Sequence, residues 1–252
     1  MTREEALYRF ALRMGDNALV LSHRLSQWCG HGPVLEEDMA QTNIALDLIG
    51  QARNYLTYAG ELEGKGRDED DLAYLRTDRE YTNVQLVELP NGDYAFTIAR
   101  SFLFDAFHLP LLKAMASGKD ERLKAIAEKA VKEVTYHLRH SSEWLVRFGD
   151  GTDESHRRAQ AALDELWRFT GELFEADEAE QALAKDGTIP ALADLRKEWN
   201  ATVDRVLGEA TLKRPDDGHM AHGGKRGVHT EHLGHMLAEM QVLQRAHPGA
   251  EW

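Results

Sequence analysis

The chain has 252 residues, 42% of them hydrophobic, which allows one large domain or two small ones and a sizeable core. Its 43 acidic and 30 basic residues leave a formal net charge of −13, which argues against non-specific nucleic-acid binding. The single cysteine, Cys29, permits no internal disulfide, no signal peptide is visible, and no run approaches the roughly 18 apolar residues of a spanning helix, so the reading is a cytoplasmic protein with no membrane or nucleic-acid partner.

Helical periodicity dominates, and only 6 prolines interrupt it. The first helix is predicted from about Arg3 to Trp28, stopping at Gly30, and the second from about Leu35 to Ala59, stopping at Gly60. A charged, irregular stretch follows, with room for one short helix near Leu72. Asp93 is a plausible N-cap for the third helix, which reaches Ala116 and should bend at Pro110. The fourth runs from about Lys119 to Phe148, and the fifth from the loop GDGTDES to about Lys185. The sixth follows Pro190, read as a first-turn proline, and reaches about Leu212. The polar, Gly-rich loop KRPDDGHMAHGGKRGVH precedes a seventh helix, capped by Thr230 and ending near Ala246. No internal repeat or strand pair is apparent. The expected fold is all-α: a four-helix bundle over residues 3–148 with additional C-terminal helices over 154–246, in a single domain spanning 1–252.

The polar residues on the predicted inner faces carry the chemistry. Asn43, Asp47, Gly50 and Asn54 recur on one stripe of the second helix. That helix is apolar nearly all round, as buried helices are, so the stripe is expected to face the interior. On the third helix Asp105 falls within the apolar face of Ile98, Phe102, Leu109 and Leu112, with His108 one turn on. On the fourth, Glu133 sits one turn before His137; the first offers Asp16 and Asn17. Dimetal carboxylate bundles use about four carboxylates and two imidazoles on facing helices. Here the set is incomplete: Gly50 follows Asp47 at i+3 and Tyr136 follows Glu133 at i+3, where each pattern wants a histidine. Two readings stand: a dimetal site, or a buried hydrogen-bond and ion-pair network that keeps the bundle in register. The missing ligands favour the network.

Near the C-terminus His232, His235 and Glu239 share a helix face beside His229 and Glu231. A single zinc is conceivable there, but no H-E-x-x-H order occurs, and a polar helix start is the simpler reading. Gly223-Gly224-Lys225-Arg226-Gly227 could cradle a phosphate or serve as an ordinary basic loop. Cys29 reads as a buried thiol, and Trp167, Phe169, Phe174 and Trp199 as core or interface. No Walker loop, Rossmann fingerprint or serine nucleophile elbow appears.

The strings LRMGDNALVLSHRLSQWCGHGP, NIALDLIGQARNYL, IARSFLFDAFH, KAVKEVTYHLRHSSEWLVRFGDGT, LWRFTGELFEADE and GGKRGVHTEHLGHMLAEMQVLQR resemble, in order and over essentially the whole chain, the C subunits of bacterial phenylacetyl-CoA epoxidases. The resemblance implies a ferritin-like helical fold and a subunit of a multicomponent monooxygenase that converts phenylacetyl-CoA to its ring 1,2-epoxide in aerobic phenylacetate catabolism. It implies no cofactor in this chain. The di-iron site would belong to a paralogous catalytic A subunit, a small B subunit would bridge the complex, and a reductase subunit would bring electrons from NADPH through FAD and an iron–sulfur centre. Asp47, Asp105, His108, Glu133 and His137 would then be vestigial positions of a lost dimetal site. By the same resemblance Glu80, Tyr81, Thr82 and Asn83, with Gln181, Ala182 and Leu183, match substrate-contacting segments at the subunit interface. Lys225 and Arg226 are added from their own chemistry as partners for CoA phosphates. The competing readings are an active di-iron oxygenase in its own right and an independent zinc or ferritin-like protein.

Overall fold

A computed structural model describes residues 1–250. Among these residues there are ten α-helices, a few short 3-10 turns and no strand. Helix α1 (Arg3–Ser26) starts from a capping box: Glu5 N–H donates to the Thr2 hydroxyl at 3.1 Å, and Thr2 N–H donates to the Glu5 carboxylate at 2.7 Å. From Ala6 onward nearly every side chain of α1 is buried. Cys29 lies in the exposed turn after this helix, so the expected buried thiol is corrected: the chain leaves the core at Ser26.

Helix α2 (Leu35–Glu63) runs past Gly60 and ends at Gly64, whose φ of 67° makes the left-handed cap. Gly60 has a different role, since a Cβ there would lie 2.3 Å from the Arg67 carbonyl oxygen. The charged stretch beyond contains α3 (Glu69–Tyr74), capped by Asp68, and a second short helix, α4 (Gln85–Glu88). Helix α5 (Tyr94–Met115) starts where Phe96 N–H donates to Asp93 at 2.9 Å, and it carries Pro110 without interruption. It is long and apolar enough to cross a membrane, but 94% of its apolar window is buried within the fold; it is the central core helix.

Helix α6 (Glu121–Gly149) ends where Gly149 passes the Ala210 carbonyl too closely for any side chain. The fifth predicted helix is two: α7 (Asp153–Leu166) and α8 (Glu178–Asp186). They are separated by 3-10 turns in which Gly171 lies against Met220, and α8 starts afresh from an Asp177–Glu180 capping box. Helix α9 (Leu192–Glu209) is capped by Ala191, so Pro190 stands just outside it, and α10 (Glu231–Ala246) follows Thr230.

Helices α1 and α5 form the interior of a ferritin-like bundle, α1 packed chiefly on α2 and α5 on α6. Helices α7 and α9 cover α5, α8 covers α1, and α3 with α10 closes one end. One continuous apolar core runs from Ala6 to Leu237 and includes Trp167, Phe174 and Trp199. The Trp199 indole N–H donates to the Leu103 carbonyl at 3.0 Å.

The interior of α1 is not uniformly apolar. Asp16 is fully buried and pairs with the Arg76 guanidinium, itself stacked 4.2 Å from the Tyr81 ring. Asp16 also accepts from Thr82 N–H at 2.8 Å, and Asn17 accepts from Val84 N–H at 2.8 Å. Asp16→Ala leaves Arg76 buried without a counter-charge and is expected to cost about 3–5 kcal/mol in urea unfolding. Glu154→Ala, which breaks only exposed pairs with Arg157 and Arg158, is expected to leave the midpoint nearly unchanged.

Candidate functional site

Helices α2 and α6 meet along three polar rungs. His140 Nε2 lies 2.8 Å from Glu37, His137 Nε2 lies 3.0 Å from Asp47, and Gln51 donates to Glu133 at 2.9 Å. The falling α6 numbers against rising α2 numbers make the helices antiparallel. Tyr94 OH donates to Glu37 at 2.6 Å, and Lys129 lies 3.7 Å from Glu133. The expected inward stripe is therefore corrected. Asn43 is exposed, Asp47, Gly50 and Asn54 are half-exposed, and the buried face is Gln41, Ile44, Leu48, Gln51 and Tyr55. The Asp47 side chain retains 38% of its exposure. An apolar composition on both faces hid which side turned inward.

Of Asp47, Asp105 and Glu133, only Asp105 is deeply buried. It accepts from the Ser141 hydroxyl at 3.1 Å. Burial pushes its carboxyl up to about 7, against the opposing pull of His137 and the Ser141 hydrogen bond. Burial, reinforced by His137, pushes His108 down to about 3. The Nδ1 atoms of His108 and His137 are buried without a partner. Among the described residues no three His, Cys, Asp or Glu side chains converge as a metal-binding group. One inner carboxylate, one neutral imidazole and three mutually engaged rungs do not fit a dimetal site, which needs bridging carboxylates and open positions. The C-terminal histidines do not gather either. His229 turns inward to Glu88 at 2.7 Å and to the Tyr81 carbonyl at 2.9 Å, while His235 is exposed. Burial opposes protonation of His229, but the Glu88 carboxylate outweighs it and raises the imidazole's pKa.

The second constellation is a cleft of about 750 Å³ between α1, α8 and the loops at 79–82 and 225–227. Leu12 forms part of its wall; Arg9, Arg79 and Arg226 stand exposed around it, with Thr82 and Gln181 beside them. Four of the expected substrate residues, Thr82, Gln181, Lys225 and Arg226, come together here. The others do not. Tyr81, Asn83 and Leu183 are buried in the core, Glu80 folds back to accept from Thr77 N–H at 2.7 Å, and Ala182 is exposed outside the cleft lining.

Of the two readings of the glycine loop, the structure favours the ordinary one. Glu172 accepts from Gly223 N–H at 2.9 Å and from Lys225 N–H at 3.2 Å, so the chain's own carboxylate takes the place a phosphate would. The Lys225 ammonium is engaged as well, with the Glu175 carbonyl at 2.6 Å and Glu180 at 3.1 Å. Arg226 remains open to the cleft. Arg9 and Arg79 are not legible as site residues in the sequence, because each sits among ordinary surface charges and only the fold brings them beside Arg226.

The family model described as "Phenylacetic acid catabolic protein" matches residues 1–252. The chain belongs to this family. It is 53% identical over 246 residues, 98% of this chain and 99% of the relative, to the C subunit of the 1,2-phenylacetyl-CoA epoxidase of Escherichia coli (strain K12). Within this member of the family, the inner acid offers a direct pH test. A carboxyl raised by burial holds its proton in the folded state after the unfolded chain has released it. Its contribution to stability is therefore complete below about pH 4 and falls away up to about pH 7. Asp105→Asn removes that titration. The stability of the native chain minus that of the variant, from urea unfolding at several pH values, is expected to fall by a few kcal/mol across this window. Parallel curves would show that Asp105 titrates normally.

Proposed function

We propose that this chain is a non-catalytic subunit of a phenylacetyl-CoA epoxidase complex in aerobic phenylacetate catabolism, and that it helps hold the CoA ester for a paralogous di-iron subunit. The observation that carries the reading is the match, over nearly the full length of both chains, to a protein named as the C subunit of that enzyme. The donor set supports a role without metal in this chain, since Asp47, Glu37 and Glu133 are engaged with histidines, tyrosine, glutamine and lysine of the chain itself. When bound in the catalytic subunit, the iron pair supplies the oxygen chemistry. A small bridging subunit and an NADPH-dependent reductase carrying FAD and an iron–sulfur centre complete the proposed assembly, in the cytoplasm.

This chain's own contribution is binding and orientation. CoA carries several phosphate charges, and planar guanidinium groups pair with phosphate oxygens through two parallel hydrogen bonds. Arg9, Arg79 and Arg226 offer three such groups around one cleft, within a chain that is acidic as a whole. Thr82 and Gln181 add neutral polar groups at the same wall. Lys225 acts from behind, neutralising Glu180 and fixing the loop that presents Arg226.

The test is the reconstituted complex. Arg79→Ala and Arg226→Ala are each expected to raise KM for the CoA ester about tenfold with kcat retained. Lys225→Ala should lower Tm first, because it leaves Glu180 buried with one cation fewer. Unchanged KM in both arginine variants would overturn the cleft assignment. A stoichiometric iron pair in the isolated chain, surviving dialysis, would overturn the non-catalytic role.

A further inference from the structure

Helix α2 is apolar on two opposite sides. One side, Ile44, Leu48 and Tyr55, packs into the bundle. The other carries Leu35, Met39, Leu46 and Ile49, exposed by 72%, 56%, 61% and 44%. At 100° per residue, Leu35, Met39, Leu46 and Gly50 fall within one narrow stripe, with Ile49 at its edge. From Leu35 to Gly50 this stripe is roughly 22 Å long, the length of a four-turn helix. Single exposed apolar side chains are ordinary, but a continuous row along one helix marks an interaction surface. On α6 the exposed Tyr136 stands next to His137, whose ring meets Asp47 of α2 at 3.0 Å.

Gly50 adds a separate observation. It stands in the middle of a 29-residue helix, where glycine is the weakest helix former after proline. Nothing in the chain requires it: a Cβ built there meets no atom within 4 Å. Glycine in a helix face permits close approach of another backbone, and here any such backbone must come from outside.

We infer that the outer stripe of α2 docks a helix of a non-identical subunit, one with an apolar face and a basic rim, and that Gly50 is the point of closest approach. Charge selects this occupant over a second copy. The stripe is flanked by Glu36, Asp38 and Asp47, and the only basic residue of α2, Arg53, is paired with Glu69 at 3.0 Å. A second copy with net charge −13 would bring the same acidic rim. The proposal rests on the reading of the chain as one subunit of an epoxidase complex.

The test is co-expression with the catalytic and small subunits of that complex, followed by size-exclusion chromatography and sedimentation. Leu46→Arg is expected to weaken assembly at least tenfold while the isolated chain keeps its Tm, since Leu46 is mostly exposed. Gly50→Ala is expected to raise the Tm of the isolated chain by roughly 2–4 °C and yet weaken assembly. That opposition is what an external close approach predicts and a merely local role does not. Assembly of Leu46→Arg equal to that of the native chain would overturn the proposal and leave the functional reading intact. A dimer of the isolated chain that Leu46→Arg dissolves would overturn it in favour of a second copy. Failure of the native chain to assemble at all would overturn both.

Discussion

Three buried carboxylates hold the irregular parts of this protein against its helices. Asp16, on α1, engages Arg76 and Thr82. Glu88 accepts from Asn83 and Thr230 and pairs with His229. Glu172 accepts from the backbone N–H groups of Gln85, Gly223 and Lys225. Between them they gather segments 76–88 and 223–230, which lie far apart in the chain. A buried carboxylate is tolerated only when its oxygens are filled, and backbone N–H groups of loops fill them at little entropic cost once the loops are in place. The cleft walls depend on this: Thr82 and Arg226 stand where they do because Asp16 and Glu172 fix the loops behind them.

The same constraint explains the interior of the bundle. The polar residues of the facing helices complete one another. His137 answers Asp47, Gln51 answers Glu133, and Ser141 answers Asp105. Such rungs set the register of α2 against α6, and they place the polar groups nearer the rim than the centre. Asp105 is the exception, a carboxyl whose pKa burial raises to about 7, one turn from His108, which burial pushes down to about 3.

The bundle is unfinished on one side. Helices α7, α8 and α9 cover α5 and α1, and α7 and α9 also reach α6, while Leu35, Met39, Leu46 and Ile49 of α2 stay exposed. The cleft and the exposed stripe both involve the bundle's outer surfaces, one basic and polar, the other apolar with an acidic border. A small anionic ligand and a partner helix call for these two different chemistries.

Much is determined by the sequence alone. Period-3.6 patterning, N-caps such as Asp93 and Thr230 and a terminal glycine such as Gly149 locate the long helices, because these signals act within one or two turns. The ordered strings of near-identical residues carry the family. Other features are decided only by tertiary structure. Gly60 reads as a stop and is a close-packing site against Arg67, since a glycine's neighbours are invisible along the chain. The second helix reads as wholly buried, because apolar composition on two faces does not say which face meets its own chain and which awaits another. The glycine loop reads equally as a phosphate cradle or an ordinary basic loop until Glu172, 51 residues from Gly223, fills its N–H groups. Arg9, Arg79 and Arg226 become one site only where three distant segments meet. Local propensity reaches a few residues; a site depends on which distant side chains share the same few ångströms, and that is fixed by packing.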